Sequence, residues 1–249
     1  RASLIMGDDA PIVNTGGNTQ GLEDLREAYV ELNVPLGTGL NVKAGQLISL
    51  LNFESGDGGA VNPNFSQGNQ WFFTGNGPST GLQLGYAFTD AVDLKVRVQN
   101  GMFTGFQDNN GFKTFMGSLG VKATEKLSMS FIGLGGREGS ATYAWLKGGS
   151  FIGSYLIAEK HNINVATEID YFNADIPGTD DTTDWWSVGG WLWGDFNPMF
   201  GAALRADFLQ DSDGAGTSGL VDFTVNPGQD IYSLIFTVNM QRDARDPRP

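Results

Sequence analysis

The chain has no cysteine and a single histidine, His161. Without thiols there is neither a disulfide framework nor a thiolate metal site, and one imidazole is too few for a zinc centre. His161 also falls in an expected short turn and reads as a solvated turn residue, so a catalytic triad is not expected. No enzyme activity, metal or cofactor is expected. Long hydrophobic runs are missing too: nowhere do apolar residues continue for the roughly eighteen positions that a transmembrane helix needs. Basic residues are few, 15 against 28 acidic ones for a net charge of −13, which leaves no basic stripe for nucleic acid. No Pro/Ser-rich linker divides the sequence, and residues 1–249 read as one domain.

What the chain does have is alternation. In Val92-Asp93-Leu94-Lys95-Val96-Arg97-Val98-Gln99, every second side chain is aliphatic and every other one polar or charged. In a strand this puts two different solvents on two faces. The pattern recurs at Leu82/Leu84/Tyr86/Phe88, Ile163/Val165/Thr167/Ile169/Tyr171, Phe200/Ala202/Leu204/Ala206/Phe208 and Tyr232/Leu234/Phe236/Val238. A mean hydropathy of −0.18 would suggest a soluble protein, but that average is blind to barrels, whose lipid face takes only alternate residues. The connections alternate as well. Short turns are expected at 35–39, 89–91, 124–126, 159–161 and 197–198, and longer polar loops between them. This is the layout of an antiparallel transmembrane β-barrel of about twelve or more strands, complete or as a segment of a larger one of about sixteen.

The strands expected are 1–6, 25–34, 40–48, 81–88, 92–101, 115–122, 127–134, 150–157, 162–172, 185–196, 200–209 and 231–240, with 220–225 as either a further strand or a loop ornament. Residues 49–70 form the longest irregular stretch, and its Leu50, Leu51, Phe53 and Phe65 would let it fold inward as a plug. The loop tips gather acids, among them Glu54, Asp57, Asp108, Asp175, Asp180, Asp181, Asp184, Asp211 and Asp213. The inward face is nearly balanced, with Glu27 and Lys113 joining the charged residues named below.

Several pieces carry a family likeness: Glu27-Ala28-Tyr29-Val30 before Gly39-Leu40-Asn41-Val42-Lys43-Ala44-Gly45-Gln46, then Thr80-Gly81-Leu82-Gln83-Leu84-Gly85-Tyr86, Val98-Gln99-Asn100-Gly101 with Asp108-Asn109-Asn110-Gly111, and Arg205-Ala206-Asp207-Phe208 with Asp211-Ser212-Asp213-Gly214. In this order and spacing the chain resembles the porin-2 family of outer-membrane β-barrels from about Glu27 to Met240. The resemblance implies a barrel acting as a porin in the bacterial outer membrane, with no assigned catalytic residue. Its partners would be outer-membrane lipid and lipopolysaccharide and small hydrophilic solutes passing by diffusion. The alternative is a plugged structural or recognition barrel within a cell-envelope complex; a homo-oligomer is open. A leader removed before residue 1 and a further strand pair after Pro249 are also expected, since Arg1 to Met6 starts as a strand already under way and Arg242 to Pro249 is turn-like.

The lumen-lining candidates are Glu31, Lys43, Asp93, Lys95, Arg97, Lys122, Glu168, Asp170, Arg205 and Asp207, either setting up a transverse field or neutralising one another as braces. The aromatic girdle candidates are Tyr86, Phe88, Tyr171, Trp186, Phe196, Phe200 and Phe208. In Trp185-Trp186 and in Trp191-x-Trp193, one ring of each pair is taken for a girdle anchor and the other for an inward platform on which a sugar could stack, with girdle and plug packing as the plainer reading. Asp211-Ser212-Asp213-Gly214 starts like a calcium loop but has Asp222 where the bidentate Glu belongs, and reads as an Asx-rich turn. Asp180, Asp181 and Asp184 could gather a divalent cation, though a solvated acidic loop is the simpler reading.

Overall fold

Alternating side chains without a long apolar run leave the backbone one economical way to pair, strand against strand, and the computed structural model of the chain follows it. Residues 1–4, 25–54, 62–75, 77–102, 104–106, 108, 110–139, 144–214, 216 and 228–240 are described. Twelve strands run in chain order: β1 (Ala2–Leu4), β2 (Leu25–Val34), β3 (Leu40–Leu47), β4 (Ser79–Thr89), β5 (Val92–Gln99), β6 (Thr114–Lys122), β7 (Leu127–Glu138), β8 (Ala144–Ala158), β9 (Ile163–Asp175), β10 (Thr182–Asn197), β11 (Phe200–Asp211) and β12 (Gln229–Met240). Among the described residues between β3 and β4 stands a short helix, α1 (Asn69–Thr74). Among the described residues these twelve strands make a single antiparallel sheet in the order β1 to β12, with no pairing between β1 and β12.

The short turns all lie at one end of the sheet, as their sequences dictate. Thr89 Oγ1 accepts the amides of Ala91 and Val92, Thr124 Oγ1 those of Lys126 and Leu127, and Asn197 Oδ1 those of Met199 and Phe200. Gly37 takes φ of 59°, which a residue with a Cβ rarely adopts. Between two of these turns Lys126 Nζ meets Glu159 Oε1 at 2.9 Å, and that hydrogen bond raises the lysine's pKa.

Register assigns every side chain to a face. Through β2, β3, β4, β5 and β6 the series Glu31, Lys43, Gln83, Arg97 and Met116 lies side by side, and through β8, β9, β10 and β11 the series Ser150, Asp170, Ser187 and Leu209 does the same, with Asp207 two residues before Leu209 on the same face. These mark the inner face. On the outer face Val30, Leu84, Val96, Ile169, Leu192, Leu204, Leu234 and Phe236 stand exposed.

β7 and β8 extend further toward the loop end than their alternation suggests, to Glu138 and from Ala144. There the inner positions Leu134 and Leu146 are apolar like their outer neighbours, because they pack in an internal core with Leu51, Met102, Met116, Ile132, Phe172 and Trp185. The expected strand at 220–225 and the ends of the terminal segments lie outside the described residues.

All seven girdle candidates occupy the outer face, in two rows. Tyr171, Trp186 and Phe208 stand near the loop end, where Phe208 stacks on Tyr232 at 5.4 Å; Tyr86, Phe88, Phe196 and Phe200 stand near the short turns. Along β10 the ten steps from Trp186 to Phe196 correspond to about 25 Å across a layer, at roughly 3.3 Å per residue and a tilt of about 40°. A charge on this face meets an apolar solvent. Leu84→Arg is expected to destabilise the protein folded in phospholipid vesicles by about 2–4 kcal/mol in a urea titration, while Lys95→Gln on the inner face stays within about 1 kcal/mol.

Candidate functional site

The segment after β3 turns inward instead of rising as a free loop. Asn52 takes φ of 81°, and its Oδ1 accepts the amide of Glu54, a local Asx turn that aims Phe53 and Glu54 at the far wall. Phe53 packs against Trp191 with ring centroids 4.7 Å apart, and Leu51 joins the internal core. Pro63 lies at β12, where Asn239 Nδ2 donates to its carbonyl oxygen at 3.0 Å, and α1 lies along β9 to β12.

Its anchor is Arg205. Nη1 donates to Glu54 Oε1 at 2.7 Å and to Ser66 O at 2.5 Å, Nη2 donates to Gln67 O at 3.2 Å, and Nε lies 3.2 Å from Asp207 Oδ2. Glu54 also accepts from Trp191 Nε1 at 3.0 Å and from the amide of Gly68 at 2.7 Å. The side chains of Arg205 and Glu54 are only 2% and 1% exposed, so the pair exchanges no strength with water. A Cβ at Gly68 would stand 2.6 Å from Asp207 Oδ2, so a side chain there would have to displace the carboxylate that faces Arg205.

Two more carboxylates hold the segment from β9. Glu168 Oε2 accepts the amide of Phe53 at 2.8 Å. Asp170 Oδ2 gathers Gln70 Nε2 at 2.8 Å, Thr74 Oγ1 at 2.7 Å and Ser187 Oγ at 2.9 Å. Every one of these acceptors is an inward position of the strand pattern.

The ten charged candidates all take inner-face register, but in two settings. Glu168, Asp170, Arg205 and Asp207 are buried beneath the crossing segment, where they work as its fastenings. Arg97 is buried as well, donating to Gln83 Oε1 and to Ile48 O at the segment's root. Glu31, Lys43, Asp93, Lys95 and Lys122 keep partial or full exposure; Asn41 donates to Glu31 at 2.6 Å, and Lys43 Nζ lies 5.1 Å over the Tyr29 ring. Below Phe53, at the short-turn end, a cavity of about 510 Å³ opens among Asp93, Lys122, Ser130, Asn164 and Trp193.

Several expectations are corrected. Glu54 is no loop-tip acid but the buried partner of Arg205, and Asp211 is buried at the end of β11. Lys113 sits before β6 and bonds Asp108. Trp191 and Trp193 are two residues apart, so both face inward, and neither is a girdle anchor. Trp185 faces inward as expected but is fully buried, stacked on Phe172 at 5.5 Å. Gln70, Thr74 and Ser187 were invisible as site residues; for Glu54 the one available signal was its place after the apolar Leu50-Leu51-x-Phe53.

Removing the anchor leaves Glu54 and Asp207 buried without their cation. Arg205→Met should cost about 3–5 kcal/mol in denaturant unfolding and open residues 62–68 to protease. The double variant Glu54→Gln/Arg205→Met recovers part of that stability; equal losses for single and double variants would contradict the pairing.

The chain matches, over residues 1–245, the family described as "Putative beta-barrel porin-2, OmpL-like". No curated protein matches it. A family of outer-membrane barrels requires a sheet with one lipid-compatible face and one polar face, antiparallel neighbours throughout and short turns at one end, and the chain, with all of these, belongs to the OmpL-like β-barrel porin-2 family.

Proposed function

We propose that this outer-membrane porin-type barrel passes small hydrophilic solutes by diffusion, through a lumen narrowed but not filled by the segment between β3 and β4. The observation that carries the reading is the uneven placement of that segment. Its polar fastenings are concentrated on β9 to β12, while Glu31, Lys43, Lys95 and Asp93 on the inner faces of β2, β3 and β5 keep access to solvent. Solutes would pass along this mixed-charge wall and the polar cavity at the short-turn end. The acidic loop end, with Asp180 and Asp181 exposed, favours cations at the mouth.

In this reading the two aromatic rows sit at the two interfaces of the bilayer, and lipid and lipopolysaccharide surround the outer face. Trp193 beside the polar cavity is the remaining candidate for a stacking platform.

The second reading is a plugged barrel serving as a structural or recognition component of the cell envelope. The buried network around Arg205 favours it, because so many fastenings resist displacement.

Planar-bilayer recording separates the two. Diffusion predicts discrete conductance steps with a preference for cations over anions, and larger steps once residues 49–70 are deleted. A protein that inserts and yet shows no steps, with conductance appearing only in the deletion, supports the plugged barrel.

A further inference from the structure

At the short-turn end the inner face of β6, β7 and β8 is set largely with small residues. Gly120 pairs with Ser130, Lys122 with Ser128, and Ser128 with Ser154. A Cβ on Gly120 would run into Asp93 Oδ1, so the bare glycine lets that carboxylate lie across β6. The wall is thereby hollowed into the cavity of about 510 Å³, within the range of roughly 300–1,000 Å³ typical of small-molecule sites.

One side of this hollow is an aromatic corner. Trp193 and Phe53 both line the cavity, with ring centroids 5.7 Å apart and planes inclined at 45°. The corner is fixed from behind: Phe53 packs on Trp191 at 4.7 Å, Trp191 Nε1 donates to Glu54, and the amide of Phe53 donates to Glu168 Oε2. Trp193 keeps partial exposure, so a ring already held in place is offered to a solute with little left to order. Strand order then decides what lies beside it. Asn164 is its register partner on β9, Ser154 follows on β8 and Ser128 on β7, the two hydroxyls 2.7 Å apart. Charge comes later. Lys122 and Asp93 stand on β6 and β5, four and five strands from Trp193, about 19 Å or more along the wall at roughly 4.8 Å per strand.

We propose that the cavity binds a neutral hexose, its C–H face against Trp193 and its hydroxyls on Asn164, Ser154 and Ser128. A pyranose has apolar C–H faces and a polar edge, so it calls for a flat ring beside neutral donors and acceptors, and these residues supply both. An ion of either sign gains less. Among the described residues the charged lining is balanced, Asp93 and Glu125 against Lys122 and Lys126, and Lys126 is already held by Glu159 at 2.9 Å. The site deepens the reading of a narrowed passage by naming the class of solute, and it rests on that reading for its part in transport.

The test is saturation-transfer NMR of the folded full chain in deuterated detergent, with D-glucose as probe and sorbitol, its open-chain alcohol, as the control without a ring. Glucose ring protons are expected to saturate and those of sorbitol to stay near background. Trp193→Ala should lower the glucose signal about fivefold, the order of one ring contact, and Trp193→Phe should keep most of it. Ser154→Leu, which fills the hollow from β8, should abolish it. Equal saturation of glucose and sorbitol, or a glucose signal unchanged in Trp193→Ala and Ser154→Leu, would overturn the proposal. Conductance steps in a planar bilayer without glucose saturation leave the passage standing and sink the sugar site. Saturation without steps upholds the site and counts against the passage.

Discussion

An apolar slab offers no hydrogen bonds to a peptide group, and each unsatisfied N–H or C=O within it costs several kcal/mol. For a chain lacking long apolar runs, that constraint leaves only the sheet, and the period of the sheet then decides the rest. Apolar residues at every second position line the outer face. The positions between them become an interior that can hold charge, and Glu31, Lys43, Asp93, Lys95, Arg97, Glu168, Asp170, Arg205 and Asp207 all lie there by register.

Charge in an interior needs partners, and the segment between β3 and β4 supplies them. Glu54 faces Arg205, while the amide of Phe53 and the side chains of Gln70 and Thr74 face Glu168 and Asp170. The anchoring is therefore two-sided: the strands fix the segment, and the segment satisfies the strands. Replacing such a network by apolar residues could hold a plug as firmly, so what the polar version adds is a defined position for the segment. The same asymmetry leaves the β2 to β5 wall accessible, which is the basis for reading a narrowed passage there.

How far the sequence foretold this depends on what each residue faces. β5 was legible residue by residue, because its two faces meet different surroundings. The loop ends of β7 and β8 were not, since Leu134 and Leu146 are apolar on the inner face, against an internal core that only the folded chain reveals. The helix at Asn69–Thr74 has six residues and no side-chain N-cap, too little periodicity to register in a sequence. Charged positions were found by alternation, but alternation could not separate Lys95 from Arg205, one accessible and one 2% exposed. That difference is set by a segment distant in sequence, which period-two reasoning cannot place.

The central claim is that one sheet separates lipid from a polar interior along period-two strands. Because the chain has no cysteine, single cysteines can be placed along β5 at 93, 94, 95 and 96 without background. In vesicles, a membrane-impermeant maleimide should label positions 93 and 95 and spare 94 and 96, with a lipid-soluble quencher giving the opposite pattern against a fluorophore at each site. Uniform labelling along the strand, or labelling inverted between the faces, would contradict the account.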